Sequence, residues 1–198
     1  MRLTIESEFA PSSSVGARFT GPEFVNGAVR LDVCLEKQHR RNWCWAAIAS
    51  ALGRYYGTSG ASQDEIASRA LASDSSRGDE RAEVDEANVE FRLDRALQAA
   101  GCFSHWSAGK PVFERIRFEI NMGRPLGARI EWHHGGAHYV VIHGYRDEGE
   151  LVLVGDSQHG PGEYALSRFP SLYREGGAWT ETFWTSRGGT TKAEDLER

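Results

Sequence analysis

The chain has 198 residues, 23 of them Lys or Arg and 28 Asp or Glu, for a formal net charge of −5. This length suits one domain of roughly 100–200 residues, and a content of 40% hydrophobic and 11% aromatic residues excludes a disordered chain. No run approaches the roughly 18 apolar residues that a membrane helix needs, and an acidic balance without a Lys/Arg block leaves no footprint for nucleic acid or an anionic membrane surface. The expectation is a soluble globular domain with neither partner. Three cysteines are too few and too scattered for a disulfide scaffold, so at least one thiol is free or paired outside the chain. Residues 1–16 lack the positive start and apolar centre of a signal peptide.

In chain order, an N-terminal arm over residues 1–27 reads partly as coil, most clearly at Ala10 to Ala17. Asn26-Gly27 is a turn signal, and Val29, Leu31, Val33 and Leu35 at period two predict a half-buried strand. Cys44 to Tyr56 reads as a helix because Trp45, Ile48, Leu52 and Tyr55 or Tyr56 recur at steps of three and four, with Gly57 as its stop. Ser62 followed by Glu65 is a capping-box pattern that opens a second helix through about Leu71. Ala72 to Glu90, about half Asp, Glu or Arg, reads as a solvated surface loop, with substrate gating as the alternative. Asn88 to Ala100 is a third helix ended by Gly101. Pro111 opens a fourth, in which Val112, Ile116 and Ile120 share a stripe until Gly123 closes it.

After Gly123 the period changes to two. Leu126 to Trp132, His138 to Tyr145, Leu151 to Asp156, Gly162 to Leu166 and Ala178 to Trp184 are strand candidates separated by turn residues. Helices followed by antiparallel strands define an α+β fold, with N-terminal helices packed on a C-terminal sheet over residues 28–185 and a polar tail at 186–198.

The residue with the clearest chemical potential is Cys44, at the expected start of the first helix. Unpaired N–H groups and the positive end of the helix dipole favour an anion there and push a thiol toward the nucleophilic thiolate. The alternative is a cysteine that acts only as a small buried hydrophobe. A thiolate needs a base. If His138–Tyr145 and Leu151–Asp156 form a hairpin, paired residue numbers sum to about 294 to 296, which places Asp156 opposite His138 or one pair along, opposite Val140. Either position lets the carboxylate reach the imidazole, fixing its tautomer and stabilising the imidazolium. His143 has the other parity and is expected to pack beside Leu151 and Leu153. Gln38, six residues before Cys44, offers an NH₂ group, and the Cys44 main chain offers an N–H, for a developing oxyanion. Gly135-Gly136 would allow close approach of backbone or substrate.

Trp43, Trp45, Trp132 and Tyr139 surround this set as candidate cleft residues, with core packing equally open for Trp45 and Trp132. Cys34, Cys102, His133, His134 and His159 lack metal-ligand spacing. Neither a metal nor a cofactor is expected.

Gln38, then Cys44-Trp45-Ala46, then Ala137-His138-Tyr139-Val140-Val141 and Val154-Gly155-Asp156 together resemble the papain-like cysteine peptidases. More narrowly they are similar to the compact bacterial branch that includes type III effector peptidases and, more distantly, the double-glycine leader peptidases. Ser62-Gln63-Asp64-Glu65-Ile66 and Gly123-Arg124-Pro125-Leu126 also look like that branch, and the similarity spans about Leu31 to Trp184. The resemblance implies Cys44 as nucleophile, His138 as general base and then acid, Asp156 as its orienter and Gln38 as oxyanion donor, acting on a peptide or protein substrate. Ninety-four positions separate Cys44 from His138 (138 − 44), fewer than the ~130–150 of cathepsins. Arg41 stands where secreted relatives place a disulfide cysteine, so the resemblance fits a reducing compartment, with cytoplasmic residence or export by a dedicated secretion system as the expectation. The N-terminal arm carries no clear self-cleavage site. The same residues would also serve an acyltransferase, deamidase or isopeptidase, and a non-catalytic binding module on this scaffold is the alternative from another class.

Overall fold

A computed structural model of the chain describes residues 21–73 and 88–188. The coil at Ala10 to Ala17, most of the charged stretch at Ala72 to Glu90 and most of the C-terminal tail lie outside the described residues. Among the described residues, four helices and eight strands follow in the order β1 Glu23–Val25, β2 Ala28–Arg30, α1 Cys44–Tyr56, α2 Gln63–Ala72, α3 Leu93–Ala99, β3 Phe103–Ala108, α4 Phe113–Asn121, β4 Leu126–Trp132, β5 Ala137–Arg146, β6 Leu151–Gly155, β7 Gly162–Ala165 and β8 Gly177–Thr185. This is the expected α+β fold. None of the helices is long and apolar enough to cross a membrane among the described residues.

Local chemistry sets the helix ends. Gly57 closes α1 in the left-handed region (φ 66°), handing its N–H back to the helix carbonyls. Ser62 and Glu65 form the reciprocal capping box on α2. The third helix starts at Leu93 rather than Asn88, because the preceding segment has other partners. Asn88 accepts from the Asn42 main chain and side chain, and the Val89 carbonyl accepts from the Trp45 indole. The strand expected from Val29 to Leu35 is likewise shorter, since β2 ends at Arg30. Leu31 still donates to His143, but the Val33 N–H turns back to the Leu31 carbonyl and leaves the ladder.

All strand pairs are antiparallel. The main sheet runs β1-β2-β5-β4-β8-β3, with β6 pairing β5 and β7 pairing β6. Strand β5 is its spine: β4 pairs its first half and β6 its second, and β2 joins near the end. Strand β3, which no alternation predicts, pairs along β8 at the sheet edge. Two cores form on the alternating faces of these strands. One packs α1, α2 and α3 on Val141 and Phe183, around the fully buried Trp45, Ile48, Leu52 and Leu97. The other joins α4, through Ile116 and Ile120, to Ile130, Val140, Ile142, Phe169 and Tyr173. Helices therefore cover both faces of the sheet. Emptying a site such as Trp45 costs about 3–5 kcal/mol, so α1 is anchored far more firmly than its length alone would hold it.

Candidate active site

The first residue of α1 is Cys44, preceded by Trp43 at the cap position with no side-chain cap. The opening N–H groups of a helix have no partner within it, so the thiol sits where a negative charge is favoured. Cys44 is buried, at 7% exposure, but lines a cleft of ≈ 1230 Å³. That combination admits substrate while restricting water.

The start of β5 carries His138, and its imidazole lies within reach of both Cys44 and Asp156. Its Nε2 lies 3.0 Å from Asp156 Oδ1. The ring N–H is angled away from a direct line to that oxygen, so the attraction is chiefly ionic. This leaves Nδ1 as the ring nitrogen to serve Cys44. Burial on its own would lower the imidazole pKa, but the Asp156 carboxylate and Cys44 outweigh it and raise the group to about 9. Both groups are almost completely enclosed, at 5% exposure for His138 and 3% for Asp156. A buried charge persists only with partners, and each supplies the other's.

Asp156 follows the last residue of β6. Val141 faces Gly155 and Ile142 faces Val154, which puts Asp156 across from Val140, the second of the two expected registers. Beyond a bulge at His143 the register moves on, so Gly144 faces Leu153. His143 therefore does not face Leu151 and Leu153 as expected; it is half-buried, with Nδ1 3.3 Å from the Leu31 carbonyl, and desolvation lowers its pKa. Asp156 Oδ1 also accepts from the main-chain N–H groups of Gln158 (2.7 Å) and His159 (2.9 Å). Oδ2 accepts from the Tyr173 hydroxyl. Desolvation would raise this carboxyl, but His138, Tyr173 and the His159 N–H together hold it well below the usual carboxylate range.

Gln38 is close to the site but engaged. Its Nε2 donates to the carbonyls of Arg40 (2.9 Å) and Arg41 (2.5 Å), and its Oε1 accepts from Ser157 Oγ at 3.0 Å. The Gln38 main-chain N–H also reaches the Ser157 carbonyl at 2.9 Å. Gln38 therefore clips the loop leading to Cys44 onto the loop following Asp156. A second clip comes from Gln63, which accepts from the His39 N–H and donates to the Lys37 carbonyl.

The aromatic residues divide. Joined by Phe91, and backed by Trp45 and Phe183 from within the helical core, Trp132 and Tyr139 line the cleft as expected. Trp43 does not: it is 2% exposed, packs in the helical core and carries the Arg40 guanidinium 4.9 Å above its ring. The cap position turns its indole inward. Trp132 stacks on His138 at 6.2 Å and 17° and on Tyr173 at 6.0 Å and 28°. Gly135 and Gly136 have φ of 92° and 81°, which the β4–β5 turn requires.

Two residues of this centre have no sequence signal of their own. Ser157 sits beside Asp156, and a buried polar residue next to a functional carboxylate was the available hint. Tyr173 lies in the irregular segment between β7 and β8, and its link to Asp156 exists only in the fold. Cys34 is exposed, whereas Cys102 is buried with its pKa pushed up to about 12 by desolvation. All three thiols are free.

A helix-start cysteine facing an imidazole at the start of a sheet strand, on an α+β scaffold, is the arrangement of the papain-like cysteine peptidase class. The chain belongs to the Peptidase_C39-like family, whose model matches residues 30–181. Among solved structures it is similar to a double glycine motif protease from an AMS/PCAT transporter, crystallised in complex with the leader peptide. The identity is 15%, over 79% of this chain and 93% of that one, with a TM-score of 0.47. No curated protein matches the chain.

Proposed function

We propose that this member of a cysteine peptidase family hydrolyses peptide bonds through Cys44, His138 and Asp156 by way of a thioester. The observation that supports the reading is the position of His138 between Cys44 and a fully enclosed Asp156 at the wall of a cleft. His138 takes the thiol proton, and the thiolate attacks the substrate carbonyl carbon. The oxyanion is met by the Cys44 main-chain N–H and by Gln38 Nε2. For the latter, one of its hydrogen bonds to Arg40 or Arg41 is exchanged for the oxyanion as substrate enters. Collapse of the tetrahedral adduct breaks the C–N bond, and the His138 imidazolium gives its proton to the leaving amine. Water, deprotonated by His138, then attacks the thioester; the acid leaves and the thiol is restored. Asp156 holds the imidazole in one tautomer through both halves and offsets its charge.

The cleft suits an extended peptide or protein segment. Phe91, Trp132 and Tyr139 supply apolar surface, while the lining also holds Arg41, Arg95 and Arg174 together with Glu90 and Glu181. Incubation with a peptide library, with and without free amine donors, tests the reaction. Hydrolysis that is lost in Cys44→Ala and unaffected by amines is expected; amide exchange without cleavage would replace the peptidase reading by a transferase.

A further inference from the structure

We infer that Tyr173 is a positioning residue for the Cys44–His138 pair, acting through the second oxygen of Asp156. This rests on the reading of Cys44 and His138 as nucleophile and base. The two carboxylate oxygens of Asp156 are unequally supplied. Oδ1 faces His138 Nε2 and the N–H groups of Gln158 and His159, whereas Oδ2 has the Tyr173 hydroxyl as its partner. The side chain of Asp156 has no solvent exposure, so water cannot replace that donor. Without the hydroxyl, Oδ2 is an unsatisfied buried carboxylate oxygen, and rotating the group toward its remaining donors is the way to relieve it. That rotation takes Oδ1 off the imidazole.

The geometry of the ring supports the same role. Tyr173 is 1% exposed and packs edge-on to Tyr164 at 5.0 Å and against Phe169 at 5.2 Å. Its ring is therefore fixed, and so is the direction of its hydroxyl. Trp132 lies against both the Tyr173 and the His138 rings, so one indole sets the spacing between the anchor and the base. The titratable groups facing Tyr173 are Asp156, Tyr164 and Arg174, whose guanidinium sits 5.4 Å over the ring. Those facing His138 are Cys44, Asp156 and His159, the last with its ring at 6.1 Å. Burial and the neighbouring carboxylate push the Tyr173 hydroxyl far up, so it stays a proton donor over the working range.

The test is the rate of Cys44 alkylation by iodoacetamide as a function of pH in wild type, Tyr173→Phe, Asp156→Asn and the double variant, with folding followed by circular dichroism. Phe keeps the ring packing and removes only the donor. Tyr173→Phe is expected to lower the plateau rate about tenfold and to move the alkaline end of the thiolate–imidazolium plateau to lower pH, with the fold retained. In the Asp156→Asn background the same substitution is expected to change the rate less than about twofold, because its route to His138 is already gone. A merely structural tyrosine gives an additive loss and an unmoved pH limit, and an unchanged or widened plateau overturns the proposal. If wild type shows no His138-dependent reactivity at Cys44, the underlying reading falls and the proposal with it. Should Tyr173→Phe not fold, wild type with ring-labelled tyrosine decides by NMR. A hydroxyl proton that is slow to exchange and shifts as His138 titrates is expected, and one that ignores that titration overturns the role.

Discussion

Two buried thiols in this protein have opposite surroundings. Cys44 begins α1 at the edge of the cleft, facing His138, whereas Cys102 lies just beyond α3, sealed in the helical core with its thiol 3.7 Å from the Leu97 carbonyl. Both are less than a tenth exposed. Around Cys102 there is only desolvation, which raises its pKa to about 12 and leaves it inert. At Cys44 the same enclosure comes with a helix start and an imidazole held by a carboxylate. Burial alone silences a thiol; burial with an organised partner is what the proposed nucleophile requires.

The widest separation is expected from removing each thiol. Cys44→Ala should reduce peptide hydrolysis by about 10⁴-fold or more, while Cys102→Ala should leave activity near wild type and cost about 1–2 kcal/mol in denaturant unfolding as a small core cavity. Removing the partner comes next: His138→Ala should lower turnover by about 10³-fold or more, measured with the enzyme fully folded. Asp156→Asn keeps the shape but weakens the hold on the tautomer, and about 10²–10³-fold is expected in the same assay. Gln38→Ala should cost about 10²-fold if its amide meets the oxyanion. It should also destabilise the fold by about 1–3 kcal/mol, because Arg40, Arg41 and Ser157 lose buried partners. A stability loss with unchanged turnover would assign Gln38 to the loop clip alone.

The smallest effect is on stability against pH. The pKa of His138 is raised from 6.5 to about 9, so its contribution is complete below about pH 6.5 and is lost as pH rises toward 9. Asp156 is depressed, so its contribution is complete above about pH 4 and is lost as pH falls further. Thermal melting of the wild type should therefore decline between pH 6.5 and 9, and His138→Ala should lack that decline.

Much of this contrast was legible in the sequence because it is set by local patterns. The apolar spacing and Gly57 mark α1, so Cys44 falls at its start. Alternation marks β4, β5 and β6, and their short turns bring Asp156 across from Val140, two residues along from His138. Other features depend on tertiary partners. The short β2 and late α3 arise because Val33 and Asn88 find hydrogen bonds other than those of their expected elements. The edge strand β3 shows no clean alternation, because its neighbour β8 rather than its own burial defines it. Spacing placed Gln38 near Cys44 but not the direction of its amide, and Trp43 at the helix cap but not the inward turn of its indole. Tyr173 meets Asp156 through an irregular segment that no periodicity describes.

The most direct test is alkylation with iodoacetamide at mildly acidic pH, mapped by mass spectrometry in wild type and His138→Ala. Rapid, selective modification of Cys44 is predicted in wild type, with Cys102 untouched and the Cys44 rate falling sharply in His138→Ala. Cys34 or Cys102 reacting as fast as Cys44, or a Cys44 rate indifferent to His138, would contradict the account.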